Sequence, residues 1–322
     1  MVRDHCTSDS RKTVASNLEL GFAFLDRASS LKMLSLYFSV YYTGRYCTGK
    51  AHSHQWTIIK ALGMNIKHSP KLQSLKIFGW LDVGNSISLF DEAHIKRLTA
   101  SLRHLDFSLP GSFNGHEDSE SPKLCWKKVV VGHILEPAVN LESLSIKRNS
   151  NQIQYLDISQ LVTYPRLAAL SLDNIVWDDG TIGQEGILVP PPLEDFIVRH
   201  CKTLKILKLY KCSINVKDYG RIPPLCYWAG VYKRLTNALT ELVELDVRFD
   251  KVPYFSSTPP PNEFVLPWVY FRLKRLEGAG QDEEALEEFK AVVKKRAMES
   301  GSDFDREAKG WSRWDEESDE EY

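Results

Sequence analysis

The chain has 322 residues, 43% of them hydrophobic and 26% charged, with a formal net charge of −1. That composition is ordinary for a globular protein. It excludes a low-complexity disordered chain and a field basic enough to hold nucleic acid or an anionic membrane.

The near-zero charge is unevenly spread. From Ser302 onward there are nine acidic and three basic residues, which leaves +5 on residues 1–301. Cys6, Cys47, Cys125, Cys201, Cys212 and Cys226 follow no regular spacing, and neither a signal peptide nor an N-x-S/T sequon is seen. They are expected to be reduced thiols in a cytoplasmic or nuclear protein. No apolar run approaches the roughly 20 residues that span a bilayer, so no membrane partner is expected.

Residues 1–30 form an N-terminal segment or partial cap. The first 17 are polar; NLELGFAF alternates like a strand, while the following LDRASS suits the end of a short helix.

A spaced pattern then begins and recurs as Leu31/Leu34/Leu36, Leu72/Leu75/Ile77, Leu102/Leu105/Phe107, Leu141/Leu144/Ile146, Leu167/Leu170/Leu172, Leu204/Leu207/Leu209 and Leu242/Leu245/Val247. A further unit, Ile153/Leu156/Ile158, fits between the fourth and fifth. Residues two apart share one face of a strand, so the last two members of each set point inward together. Leu204-x-x-Leu207-x-Leu209-x-x-Cys212 and Leu141-x-x-Leu144-x-Ile146-x-x-Asn149 complete the leucine-rich-repeat pattern. One such unit cannot bury its own apolar face, so each implies neighbours.

Helical stretches lie between the units. They are predicted over His54–Ile66, Phe90–Leu102, Trp126–Val139, Leu193–His200 (after Pro190-Pro191-Pro192) and Tyr227–Leu239. Strand and helix alternating in one direction predict an α/β fold, a leucine-rich-repeat solenoid with a parallel sheet, outer helices and irregular repeats over residues 31–276. The long inserts Tyr41–His54, Leu109–Lys123, Trp177–Pro192, Ser213–Leu225 and Lys251–Pro267 all follow a strand, which gathers them at one sheet edge. Gln281–Met298 predicts an amphipathic capping helix within residues 277–300. Its first-turn acids Asp282, Glu283 and Glu284 and last-turn bases Lys294, Lys295 and Arg296 complement its dipole. Residues 301–322 are an acidic tail, expected to be disordered.

Candidate reactive residues are few. Cys47, His52 and His54 lack a fourth metal ligand at a suitable spacing. His200, Cys201, Cys212 and Cys226 are better placed as structural residues. Gly278-Ala279-Gly280 opens onto three carboxylates that would repel phosphate. No catalytic motif, cofactor or metal site is assigned, and no enzyme activity is expected.

The irregular repeats, the line LEDFIVRHCKTLKILKLYKCSI and the Trp-bearing acidic tail resemble fungal F-box/leucine-rich-repeat-type proteins. The resemblance covers roughly Leu31 to Leu276. It implies a non-enzymatic protein-binding module that recruits substrates for ubiquitination. Residues 1–30 show no F-box motif, so direct binding of a Skp-type adaptor is not expected.

The protein partner is expected on the concave sheet and strand-end loops, at Lys76, Phe78, Asp106, Lys147, Arg148, Lys208, Tyr210, Lys211, Asp246 and Arg248. The cations Lys147, Arg148, Lys208 and Lys211 favour an acidic or phosphorylated segment at its centre. Two alternative readings are a hydrolase on a repeat-like scaffold and a truncated, inactive repeat protein.

Overall fold

Seven strands lie side by side in the order in which the chain makes them. They are β1 (Met33–Tyr37), β2 (Ser74–Phe78), β3 (His104–Pro110), β4 (Ser143–Asn149), β5 (Ala169–Asp173), β9 (Ile206–Tyr210) and β11 (Glu244–Arg248). Every neighbouring pair is parallel. The computed structural model describes residues 31–38, 58, 72–79, 92–110, 125–149, 161–178, 181–182, 188–189, 191–216, 227–248, 254–256, 271–272 and 281–301. The predicted N-terminal segment, the extra unit at Ile153 and the acidic tail beyond residue 301 lie outside these. So does all but Ile58 of the helix predicted over His54–Ile66.

The register follows the leucine spacing without a slip. Leu34, Leu75, Leu105, Leu144, Leu170, Leu207 and Leu245 stand opposite one another across the sheet. Leu36, Ile77, Phe107, Ile146, Leu172, Leu209 and Val247 form the next row. A slip of one residue would turn both rows to the other face, so burial of one face fixes the register. The inner strands bury these rows fully, whereas Leu34, Leu36 and Leu245 on the edge strands are half-buried.

The leading leucines Leu72, Leu102, Leu141, Leu167, Leu204 and Leu242 are all sealed from solvent. One hydrogen-bond motif joins each strand entry to the next. The Lys32 carbonyl accepts from the N–H groups of both Gln73 and Ser74. Gln73, Arg103, Glu142, Ala168 and Lys205 each do the same for the following strand.

Helices cover the leucine face and share one continuous apolar core with it. Helix α1 (Glu92–Ala100) contributes Ile95 and Leu98. The segment Cys125–Leu135 is a π-helix that contributes Val130, Val131, Ile134 and Leu135. It ends in a five-residue closure, Glu136 N–H to the Val131 carbonyl at 2.8 Å.

Helix α2 (Pro192–Val198) starts on a proline, whose missing N–H costs nothing in a first turn, and buries Leu193, Phe196 and Ile197. Helix α3 (Trp228–Ala238) buries Trp228, Val231, Tyr232 and Leu235. Helix α4 (Asp282–Glu299) docks with Ala285, Leu286, Phe289 and Val293. Among the described residues, no helix is long and apolar enough to cross a membrane.

Helix α3 has no side-chain cap of its own, and α4 closes both of its ends. At the start, Asp282 Oδ1 accepts from the Ala229 N–H at 2.8 Å. The Tyr254 hydroxyl accepts from the Trp228 N–H at 2.9 Å and donates to Asp282 Oδ2. At the end, Arg296 donates to the carbonyls of Leu239 (2.8 Å) and Thr236 (3.0 Å). Start meets start and end meets end, so the two helices run parallel. Their like dipole ends are offset by a carboxylate at one end and a guanidinium at the other.

A second sheet was not expected from the sequence. Residues following β5, β9 and β11 form the short strands β6 (Val176–Asp178), β10 (Ser213–Val216) and β12 (Tyr254–Ser256), which pair in parallel. β13 (Phe271–Arg272) adds antiparallel to β12, and β7 (Thr181–Ile182) with β8 (Leu188–Val189) makes a separate hairpin. The inserts predicted at Trp177, Ser213 and Lys251 therefore contain strands at their starts.

The corner leading out of the main sheet is left-handed at Gly79, Asn174 and Lys211, with φ of 73°, 57° and 48°. At Gly79 a side chain would also collide with the Phe38 carbonyl, so glycine is required there on both counts.

Candidate protein-binding face

Opposite the leucines, alternation places three rows of mostly polar residues on the other face of the sheet. The middle row runs Ser35, Lys76, Asp106, Ser145, Ser171, Lys208, Asp246. Beside it lie Ser108, Lys147, Asp173, Tyr210 and Arg248, with Tyr37 opposite Phe78 at the β1 edge. Lys76, Phe78, Asp106, Lys147, Lys208, Tyr210, Asp246 and Arg248 thus share one face.

Two of the ten expected residues do not belong to these rows. Arg148 pairs with Leu109, one position out of phase with its neighbour Lys147. Lys211 is exposed on the left-handed corner beyond β9.

The charges on this face are matched from strand to strand. Lys76 lies 3.9 Å from Asp106, and Lys208 lies 3.7 Å from Glu244. Lys147 stands directly opposite Asp173. The Tyr210 hydroxyl donates to Asp246 Oδ2 at 2.8 Å, Arg248 reaches the same oxygen at 3.1 Å, and its guanidinium lies 5.0 Å above the Tyr210 ring.

Of the four cations expected to attract an acidic segment, Lys208 is held by Glu244, Lys147 stands opposite Asp173 and Lys211 is on a corner, while the Arg148 side chain lies outside what the structure describes. What the face does offer is order. Tyr210 is fixed by a hydrogen bond and a cation–π contact, and Tyr37, 74% exposed, stacks on Phe78 at 4.5 Å.

Neither His200 nor Cys212 is available for chemistry. His200 Nδ1–H donates to the Phe196 carbonyl at 2.7 Å, and Nε2 accepts from the Tyr164 N–H at 2.9 Å, which fixes a neutral tautomer. The Cys212 thiol is buried beside the Leu172 carbonyl at 3.5 Å, and burial pushes its pKa up to about 12. Among the described residues, no group of three His, Cys, Asp or Glu side chains can hold a metal. The loop cluster Cys47, His52 and His54 and the stretch Gly278–Gly280 lie outside the described residues.

His200 makes stability pH-dependent. Burial holds its pKa below the ordinary 6.5, against the raising effect of its bond to Phe196. His104 is lowered as well, mainly by burial. In the window just below 6.5 the unfolded chain binds more protons than the native one, so stability is lost as the pH falls through it. The urea midpoint is expected to drop on acidification from neutral pH. His200→Gln should lower stability at neutral pH and shrink that drop. An undiminished drop in the variant would remove His200 as its cause.

No family model matches this chain, and neither the curated proteins nor the solved structures yield a match to set beside it.

Proposed function

We propose that the chain is a non-enzymatic leucine-rich-repeat solenoid that binds a protein through the polar face of its main sheet. The observation that carries this reading is the register. Seven consecutive strands present their outward residues in unbroken rows, so one partner segment could cross several units at matching positions. The sealed leading leucine and the shared-carbonyl junction, repeated from unit to unit, support the repeat reading. Matched charges and held aromatics support recognition by shape and pairing, not by attraction to a large single-sign field. With the resemblance to F-box/leucine-rich-repeat-type proteins, we assign the partner as a substrate recruited for ubiquitination.

Ser171 lies next to the centre of the middle row, between Ser145 and Lys208, and is half-buried. Ser171→Arg places a long cation there without removing a large side chain. Affinity capture from native cells with cross-linking mass spectrometry should place partner cross-links on Lys147 and Lys208. The Ser171→Arg chain should lose that partner while its thermal unfolding changes little. Undiminished capture by the variant would move the binding surface elsewhere.

A further inference from the structure

The strand entries form a rim along one end of the main sheet, and α2 and α3 end beside it. From β5 to β11 the turns on this rim expose Arg166, Lys202 and Lys205 together with one acid, Glu241. The Ala168 carbonyl accepts from the N–H groups of Lys205 and Ile206, and the Lys205 carbonyl from those of Val243 and Glu244. These entries therefore stand one strand spacing apart, roughly 4.8 Å. Charges nearby are matched, Arg103 to Glu142 at 3.3 Å and Arg199 to Asp195 at 3.1 Å. Among the described residues, this stretch of the rim is open and basic.

Helix α4 delivers the chain to the same rim. Arg296 ties its last turn to the Thr236 and Leu239 carbonyls, where α3 ends and the turn into β11 begins. Gly301 then takes the left-handed conformation, φ 56°, and its N–H turns back to the Met298 carbonyl at 3.4 Å, which closes the helix. Beside this exit the Met298 side chain is 69% exposed.

The chain that follows, residues 302–322, carries nine acids and three bases, with Phe304, Trp311 and Trp314 among them. We propose that this acidic segment docks on the rim of its own molecule. Its carboxylates face Arg166, Lys202 and Lys205, and Phe304, three residues past Gly301, covers Met298. Charge and side-chain type both fit: cations meet carboxylates, and a thioether packs well against an aromatic ring.

Reach is not limiting. Twenty-one residues at roughly 3.3 Å each when extended pass well beyond the two strand spacings from β11 to β5. Exposed ion pairs are individually weak, and the tether decides between an inner and an outer acidic segment. A short flexible connection holds its own segment at an effective concentration in the millimolar range, which a separate partner would have to match. The rim is thereby closed to other acidic chains. This contact lies at the strand entries and does not depend on the polar face being a docking surface.

The test is zero-length carbodiimide cross-linking of the full chain, using mixed heavy- and light-isotope molecules to separate links within one copy from links between two. Amide links should join carboxylates of residues 303–321 to Lys202 and Lys205 within single molecules and survive dilution. They should fall in 1 M salt, where screening acts within about 3 Å. Lys202→Glu should lower the remaining link to Lys205 at least about threefold, and Arg166→Glu should do the same, with the urea midpoint unchanged. Phe304→Ser should lower both links.

Equal yields at the exposed lysines Lys32, Lys96 and Lys233 would overturn the proposal. Links found only between molecules would assign the segment to a second copy and overturn it too. It would fall equally if salt, Lys202→Glu and Arg166→Glu left the Lys205 link unchanged. None of these results bears on capture of a partner by the polar face, which Ser171→Arg tests separately.

Discussion

Leu207→Ala is expected to lower the unfolding free energy by about 2–5 kcal/mol, the range for emptying a packed leucine site. Leu207 is sealed between Leu170 and Leu245 in the inner row, and neighbours on both sides limit how far the site can collapse. Leu245→Ala makes the same chemical change in the same row on the edge strand β11, where the side chain is only half-buried. It should therefore cost clearly less. Urea unfolding of the two variants with an unchanged denaturant slope measures the difference. Equal losses would mean that strand order does not govern how the row is packed.

Arg234→Ala should be comparably damaging for a different reason. Glu194 on α2 is 2% exposed, and both its oxygens are held by the Arg234 guanidinium of α3 at 2.6 and 2.8 Å. Removing the arginine strands a buried carboxylate, which costs about 3–5 kcal/mol. The pair itself is worth much less than that. Glu194→Leu with Arg234→Met keeps the volume, removes both charges and should restore most of the lost stability. A double-mutant cycle by chemical denaturation isolates the coupling. A loss under about 1 kcal/mol for Arg234→Ala would mark the pair as effectively solvated.

How much of this was legible in the sequence depends on the range over which each feature is written. The two inward rows follow from spacings of two and three residues, and the register from Leu34 to Leu245 matches them residue by residue. The helices at Glu92, Pro192, Trp228 and Asp282 fall where apolar stripes placed them, within a few residues. The stretch after Cys125 is helical but π-wound, which its apolar run around most of the circumference could not indicate.

The second sheet escaped because strands of two to four residues are too short to show alternation, and they are held by partners some 40 residues away. At the face, the sequence lists side chains but not which of them stand together. Lys208, Glu244, Tyr210, Asp246 and Arg248 look like separate offers to a partner until register sets them beside one another. Arg148 follows Lys147 directly in β4, and adjacent strand positions alternate. Asp282 and Arg296 satisfied a local rule about the dipole of their own helix, which hid their service to another one.

That service bears on the order in which the protein can be made. Of the groups that close α3, Tyr254 lies 26 residues further along the chain and Asp282 and Arg296 lie 53 to 60, so α3 leaves the ribosome with both ends open. Trp228 and Tyr232 also remain without Phe289 and its neighbours until then. A nascent chain halted before Asp282 would therefore display apolar surface and unsatisfied backbone at its newest end. In the finished chain α4 covers that surface and meets those backbone groups.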